Sequence, residues 1–308
     1  MTGIDVVVAP YLSNGPLFIA QEEGYFAEQD LQVRFINLSR TAESIPALSS
    51  GRVDVIGGYL SAGFINAIAR GARIRFVADK GYIGPGCTEM GLLARRDLAG
   101  RLNNSAQLKK RRIIVTPVSS SGYYTERILN TIGLSVADME VHDMPEEIAL
   151  EAFKKGTIDL QFATEPWISR TVQSGYAFVW KDINEVLPDA EFSILVYGPN
   201  LLDRNPDAGK RFMIAYLKGV EQYAQGKTER NIAVMAKSLK LEKEFLKRLC
   251  WPCLRKDGYI NVEGVLDFNR WAVQKGLAGG LLTKDELWDS RFVDFANSMI
   301  AGKKEHVP

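Results

Sequence analysis

Short apolar runs alternate with helical spacing along the first two thirds of the chain. Ile4–Pro10 (IDVVVAP) reads as a buried strand. Its exit, Tyr11–Gly15 (YLSNG), is polar and small, and Leu17–Phe26 follows with helical spacing and Gly24 as its stop. Leu31–Ile36 alternates as a second strand, Ala42–Leu48 reads as a short helix, and Gly51–Gly58 carries a third strand, VDVIGG. That strand leaves through Tyr59-Leu60-Ser61-Ala62-Gly63-Phe64 into a helix reaching Arg70. Ile74–Ala78 and Met90–Ala94 (MGLLA) are strands on either side of a glycine-rich loop, Gly81–Glu89 (GYIGPGCTE). The order βαβαβαβ fits a doubly wound sheet.

The pattern then pauses and restarts. Arg95–Arg112 is polar and basic, with Asn103-Asn104 as a turn, and reads as a solvated connector. Ile113–Val115 is the next strand. A Ser-Ser-Ser-Gly loop leads into helix Tyr123–Thr131, and strand Met139–Asp143, helix Glu147–Lys155 and strand Thr157–Ala163 follow. Thr164-Glu165-Pro166-Trp167 opens helix Ile168–Ser174, and Tyr176–Trp180 and Phe192–Tyr197 (FSILVY) are the last strands. From Asn205 onward apolar residues recur at helical spacing, including Phe212, Tyr216, Val220, Val265, Phe268 and Trp271. Trp271, Trp288 and Phe292 read as core of this tail.

Two α/β passages therefore share one plan. Each has a polar loop after its first strand and, further on, a Gly-x-[Val/Ile]-Asp beat: Gly51-Arg52-Val53-Asp54 and Gly156-Thr157-Ile158-Asp159. Ligands of open α/β sheets sit at the carboxyl ends of strands, where these loops lie. The reading is two lobes facing each other across a cleft.

Composition narrows the function. At 308 residues two domains are expected. Lys and Arg total 38 against 37 Asp and Glu, interspersed, so no basic stripe marks a nucleic-acid binder. No apolar run has the length of a membrane span. Met1-Thr2-Gly3 enters a strand without a basic or apolar leader. The chain is expected to be cytosolic, or exported with its signal segment absent from this sequence. Of three cysteines, Cys250-Trp251-Pro252-Cys253 forms a C-x-x-C that follows a basic helix rather than opening one. A local structural role is expected, reduced or as a strained local disulfide. No metal site is expected, because His142 and His306 have no ligand candidates near them in the sequence. Catalysis is not expected either. There is no G-x-S-x-G, no G-x-G-x-x-G after a strand, and Gly226-Lys227-Thr228 has Glu221 where a phosphate loop needs glycine.

Four stretches carry a family resemblance: AQEEGYFAEQDLQV, ALSSGRVDVIGG, SSSGYYTERILNTIGL and ATEPW. They resemble substrate-binding proteins of ABC importers, in the NMT1/THI5-like group that handles nitrate, alkanesulfonates, taurine and thiamine-precursor pyrimidines. The resemblance covers roughly residues 4–235 and rests on fold signatures more than ligand signatures. It implies an α/β type II periplasmic-binding-protein fold, two lobes with a hinge and a ligand cleft between them. Lobe 1 is expected at 1–94 plus 196–308 and lobe 2 at 95–195, crossing near Ala94 and Leu195 through two parallel strands. The CCCFC stretch of yeast-type pyrimidine synthases has no counterpart here. A monomeric receptor without cofactors is expected, periplasmic or lipid-anchored outside the cytoplasm, serving a membrane permease. Its expected ligand is a small planar compound: a pyrimidine or thiamine precursor, a flavin-like molecule or an aromatic acid. The alternatives are a cytosolic enzyme on the same fold, pyrimidine-synthase-like or a vitamin-pathway lyase, and a sulfonate- or nitrate-type binding protein.

The strand-end rule supplies the candidate ligand contacts. Tyr11, Ser13 and Asn14 come from the first exit, Tyr59 and Ser61 from the third strand, and Glu89 from the glycine-rich loop. Ser119, Ser120, Ser121, Tyr123 and Tyr124 come from the second passage, Glu165 and Trp167 from its later strand exit, and Tyr197 from the return strand. Flat rings suit stacking on a planar ligand, and the acids suit its N–H and O–H groups. The serines also suit helix capping, and each aromatic also suits a core. No Lys or Arg falls between Tyr11 and Gly15 or between Ser119 and Thr125. Such a residue would be expected for nitrate or a simple sulfonate.

Overall fold

The computed structural model of the chain describes residues 1–37, 41–87, 89–102 and 104–304. Asn103 of the expected turn and Thr88 of the expected loop lie outside the described residues. Strands form at β1 (Thr2–Val8), β2 (Leu31–Asn37), β3 (Val55–Tyr59), β4 (Arg75–Tyr82), β5 (Met90–Arg95), β6 (Arg112–Ile114), β7 (Glu140–His142), β8 (Leu160–Thr164), β9 (Ala177–Asp182) and β10 (Glu191–Tyr197). Among the described residues they make two five-stranded sheets, ordered β2-β1-β3-β10-β4 and β7-β6-β8-β5-β9. The two sheets share one plan. In each, the first strand pairs in parallel with the second and third (β1 with β2 and β3, β6 with β7 and β8). The strand beside the third then runs antiparallel: β10 in one sheet, β5 in the other.

The chain divides into two compact units, Met1–Tyr82 with Glu191–Arg248 and Cys253–Pro308, and Ile83–Ala190 with Leu249–Pro252. This moves the expected boundaries. Met90–Arg95 does not extend the first sheet, because its ladder partners are Leu160–Thr164 and Ala177–Asp182 of the second. The crossings fall after Tyr82 and Ala190 rather than near Ala94 and Leu195. The strands that precede and follow them, β4 and β10, are antiparallel rather than parallel. Most described residues of Arg95–Arg112 are exposed, as expected of a solvated stretch. It is also anchored in the second unit: Leu98, Leu102 and Leu108 are buried, and Arg95 and Arg112 pair with the buried Asp159.

The Gly-x-[Val/Ile]-Asp beats are one device built twice. Gly51 (φ 75°) and Gly156 (φ 66°) take the left-handed turn that ends the preceding helix, a conformation that suits glycine. The next residue then bonds back: Arg52 N donates to Ala47 O at 2.9 Å, and Thr157 N to Ala152 O at 3.0 Å. The aspartate stands just ahead of the third strand and accepts a backbone N–H of the first strand. Asp5 N donates to Asp54 Oδ2 at 2.7 Å, and Arg112 N to Asp159 Oδ2 at 3.0 Å. Asp159 also accepts Arg112 Nε and Nη2, both at 3.0 Å, and faces Arg95 Nη1 at 3.0 Å. Burial alone would raise its carboxyl, but the Arg112 guanidinium, the Arg112 N–H and the charge of Arg95 outweigh it and hold the group below the ordinary aspartate range.

The tail is helical, as its spacing predicts, and closes the first unit. Pro206–Tyr223 buries Phe212, Tyr216 and Val220 and lies against Gly15–Glu22. The approach is close enough that a Cβ on Gly219 would lie 2.3 Å from Pro16 O. Trp271, Trp288 and Phe292 are buried there. The cysteine expectation is corrected. Cys250 pairs with Cys87, Cα atoms 5.7 Å apart and 163 residues apart in sequence, and Cys253 keeps its thiol. Leu249–Pro252 thereby joins the second unit, while Cys253 bridges to Tyr82 in the first, with Tyr82 N donating to Cys253 O at 3.0 Å. Held that way, Cys250 and Cys253 do not close the local pair that their spacing permits.

Candidate functional site

In the first unit the candidate residues gather at the carboxyl ends of β1 and β3. Tyr11 and Tyr59 meet edge to face with ring centroids 4.8 Å apart, and Phe192 joins Tyr59 at 5.9 Å. Phe192 arrives because β10 is antiparallel: Ser193 pairs with Tyr59, so the start of β10 lies at the end of β3. Ser13 and Asn14 are buried in the turn after β1, and Tyr11, Tyr59 and Ser61 are half-buried. The same antiparallel pairing corrects Tyr197. It pairs with Val55, at the opposite end of β3, donates its hydroxyl to Gly209 O at 3.0 Å, and packs on Phe212 and Phe292. Tyr197 is core, at the end of the sheet away from the other candidates.

Lys80 completes this cluster and was missed by sequence reasoning. It lies near the end of β4 with 1 % of its surface exposed, and its Nζ donates to Ser13 Oγ at 2.7 Å. The ammonium also lies 6.0 Å from the Tyr59 ring centroid. The signal was present: Asp79-Lys80-Gly81 interrupts an otherwise apolar strand, and a charged pair inside a strand is informative when buried. Looking for basic residues only within the loops overlooked a lysine reaching in from a neighbouring strand. Beside it, Asp79 and Glu191 form a buried acid pair. Burial pushes both up, and Glu191 is raised further by the neighbouring Asp79 charge. Asp79 accepts Gly81 N at 2.9 Å and Arg255 N at 2.7 Å, and Glu191 accepts Asn261 N at 3.0 Å. The pair thus ties the ends of β4 and β10 to the tail.

In the second unit the polar groups are turned to internal use. Ser119 caps helix Ser120–Asn130, its Oγ accepting Ser121 N at 3.2 Å, and the Ser119 and Ser121 hydroxyls lie 2.7 Å apart. Ser121 Oγ donates to Thr116 O at 3.2 Å. Gly122 makes this tight loop feasible, since a Cβ there would lie 2.2 Å from Pro117 O. Ser120 is buried, and Tyr123 and Tyr124 pack inside, Tyr124 against Phe162. Arg127 lies 4.9 Å from the Tyr123 ring centroid. Glu165 is buried and holds the start of helix Trp167–Gln173, accepting Ser169 N at 3.1 Å and Ser169 Oγ at 2.7 Å. Glu89 is buried beside β5, its carbonyl accepting Glu165 N at 3.0 Å. Trp167 is half-buried, with the Arg170 guanidinium 4.8 Å from its ring centroid.

Glu146 also reaches the end of β8. Its Oε2 accepts Thr164 N at 2.8 Å, and its carboxyl takes the Thr164 hydroxyl at 3.2 Å. Enclosure of the carboxyl head outweighs these bonds and pushes it up to about 7. It therefore titrates near neutrality against Thr164, which lies three residues before Trp167.

No group of His, Cys, Asp and Glu suited to a metal ion occurs among the described residues. A cavity of about 540 Å³ in the first unit is lined by Ile68, Arg73, Arg75, Leu282 and Glu286, among others. It borders the beginning of β4 and contains none of the candidate residues.

The sequence profile of the NMT1-like family matches residues 2–240. The chain belongs to the NMT1-like family. A protein of Brucella abortus (strain 2308), named as a binding protein, is 25 % identical over 244 residues, covering 78 % of this chain and 72 % of that protein. Solved structures share the fold at lower identity. The ligand-binding component of an ABC-type import system from Staphylococcus aureus aligns with a TM-score of 0.79 at 16 % identity, covering 96 % of this chain and 99 % of the other. The periplasmic nitrate-binding protein of Synechocystis PCC 6803 aligns at 0.78 and 14 %, covering 100 % and 90 %. The fold is the two-lobed α/β architecture of type II periplasmic binding proteins.

Proposed function

We propose that this NMT1-like chain is the solute receptor of an ABC importer, working outside the cytoplasm, and that its solute is a small planar aromatic or heteroaromatic compound. Pyrimidines or thiamine precursors, flavin-like molecules and aromatic acids are the classes in view. One observation carries the reading: aromatic rings stand at carboxyl ends of strands in both units. Tyr11, Tyr59 and Phe192 form the cluster in the first, and Trp167 stands half-buried in the second. Such rings accept a flat ligand, and adjacent polar groups orient it. The Cys87–Cys250 disulfide supports an oxidising compartment. The family supports a membrane permease as partner and capture by hinge closure.

A thermal-shift screen of planar heterocycles and aromatic acids, run beside taurine and nitrate with the solute assayed afterwards, tests the proposal. Stabilisation by a planar compound recovered unchanged is expected. Tight binding of taurine with no response to any aromatic compound would refute the ligand class, and product formation without a partner would refute the receptor.

A further inference from the structure

The two units begin their helices differently. In the second, Ser119 and Glu165 spend their side-chain oxygens on the helix starts. In the first, Gly15–Glu22 starts after Asn14 and Ala62–Ala69 after Ser61, and neither side chain caps. Asn14 Nδ2 donates to Ala9 O at 2.7 Å, which settles which way the amide points. Asn14 Oδ1, on a residue with no exposed surface, has no hydrogen-bond partner, and neither does Ser61 Oγ. The free oxygen of Asn14 and the stem of Lys80 meet over Gly57, where a Cβ would lie 2.7 Å from Asn14 Oδ1 and 3.2 Å from Lys80 Cδ. The Lys80 ammonium rests on Ser13 Oγ, one residue from Asn14.

We infer that the buried cluster of Ser13, Asn14, Gly57 and Lys80 receives the solute's anionic group together with an adjacent N–H or O–H donor. This rests on the receptor reading above and gives the solute a class and a direction. The anion belongs with the Lys80 ammonium and the Ser13 hydroxyl, at the positive dipole end of Gly15–Glu22. The donor belongs to Asn14 Oδ1, because a buried acceptor left without a partner is costly. The half-buried Tyr59 ring lies beside the ammonium for the ring bearing both groups. The serine loop of the second unit, also a candidate from sequence, has its Ser119 and Ser121 hydroxyls engaged in its own loop. The solute is thus an aromatic acid with a donor next to its acid group, its acid end in the first unit.

Three ligands on the wild-type protein test this without any variant: pyrrole-2-carboxylate, furan-2-carboxylate, which lacks the ring N–H, and pyrrole-2-carboxamide, which lacks the charge. Ligand-observed NMR titrations should show the pyrrole acid binding at least about tenfold more tightly than either other compound, the loss of one charged or buried hydrogen bond. Equal binding of the furan acid would overturn the role of Asn14, and equal binding of the amide the role of Lys80. No binding of the pyrrole acid overturns the inference. If another planar solute then binds unchanged, the receptor reading still stands. Consumption of the bound solute would instead remove that reading. Lys80→Met should weaken the pyrrole acid about tenfold or more and leave the amide unaffected. An equal loss for both compounds would show that Lys80 only supports the fold.

Discussion

At the residue scale, Trp167 is the sharpest point of the account. It opens a helix directly after Pro166, whose ring limits the backbone there, and Glu165 fixes the helix start through Ser169. A half-buried ring held on such a base can stack on a planar solute at little ordering cost. Trp167→Ala should weaken binding by about 1–3 kcal/mol, by analogy with base stacking, or roughly ten- to a hundredfold. The unfolding midpoint of the unliganded protein should hardly change. Titration calorimetry and urea unfolding of this one variant check both halves. A stability loss of roughly 3–5 kcal/mol with affinity unchanged would make Trp167 a core residue. Glu146 adds a pH dependence nearby. Its folded carboxyl titrates at about 7, above the ordinary value of 4.5. The native state therefore retains a proton that the unfolded chain releases, and this contribution to stability falls as pH rises from about 4.5 to about 7. Glu146→Gln should flatten that decline, as read from urea midpoints across the interval.

At the scale of elements, the aspartate clamps make a different prediction. Asp159 is held below its ordinary range, so its contribution is present above about pH 4 and is lost as pH falls through the folded value. Asp159→Asn should cost about 1.5–3 kcal/mol at neutral pH, the worth of hydrogen bonds to a charged group. The gap to wild type should narrow on acidification, and chemical denaturation at pH 7 and pH 3.5 measures it. These clamps also explain what was legible in the sequence. The two beats repeat because each performs the same local bonding, so periodicity and glycine placement exposed both units and nearly every strand and helix. Local pattern did not tell which sheet a strand joins. Met90–Arg95 has the same apolar character whichever sheet accepts it, and only its ladder with β8 and β9 decides. Phe192 and Lys80 escaped for the same reason. One reaches the site through antiparallel pairing and the other from a neighbouring strand, and neither lies in the loops that the pattern marks. Tyr197 was misplaced by the direction of the same strand.

At the scale of the whole molecule, one covalent link and one binding event carry the account. Cys87 and Cys250 close a long loop across the second unit's sequence. Removing the link should destabilise the protein by roughly 2–4 kcal/mol. Cys87→Ser and Cys250→Ser should lose stability alike, while Cys253→Ser should stay near wild type in the same melting experiment. A loss shared by the Cys250 and Cys253 variants but not by Cys87→Ser would restore the local pairing that the spacing allows. The receptor reading itself rests on whether a planar solute is held and returned unchanged. The most direct measurement is mass spectrometry of the small molecule that co-purifies with the protein, paired with a melting curve after that molecule is removed and added back. The account predicts a planar aromatic acid whose return, at a hundredfold excess over its dissociation constant, restores about 2.7 kcal/mol of stability. Recovery of a taurine-like or inorganic ion in its place, or chemical change of the solute on re-addition, would contradict it.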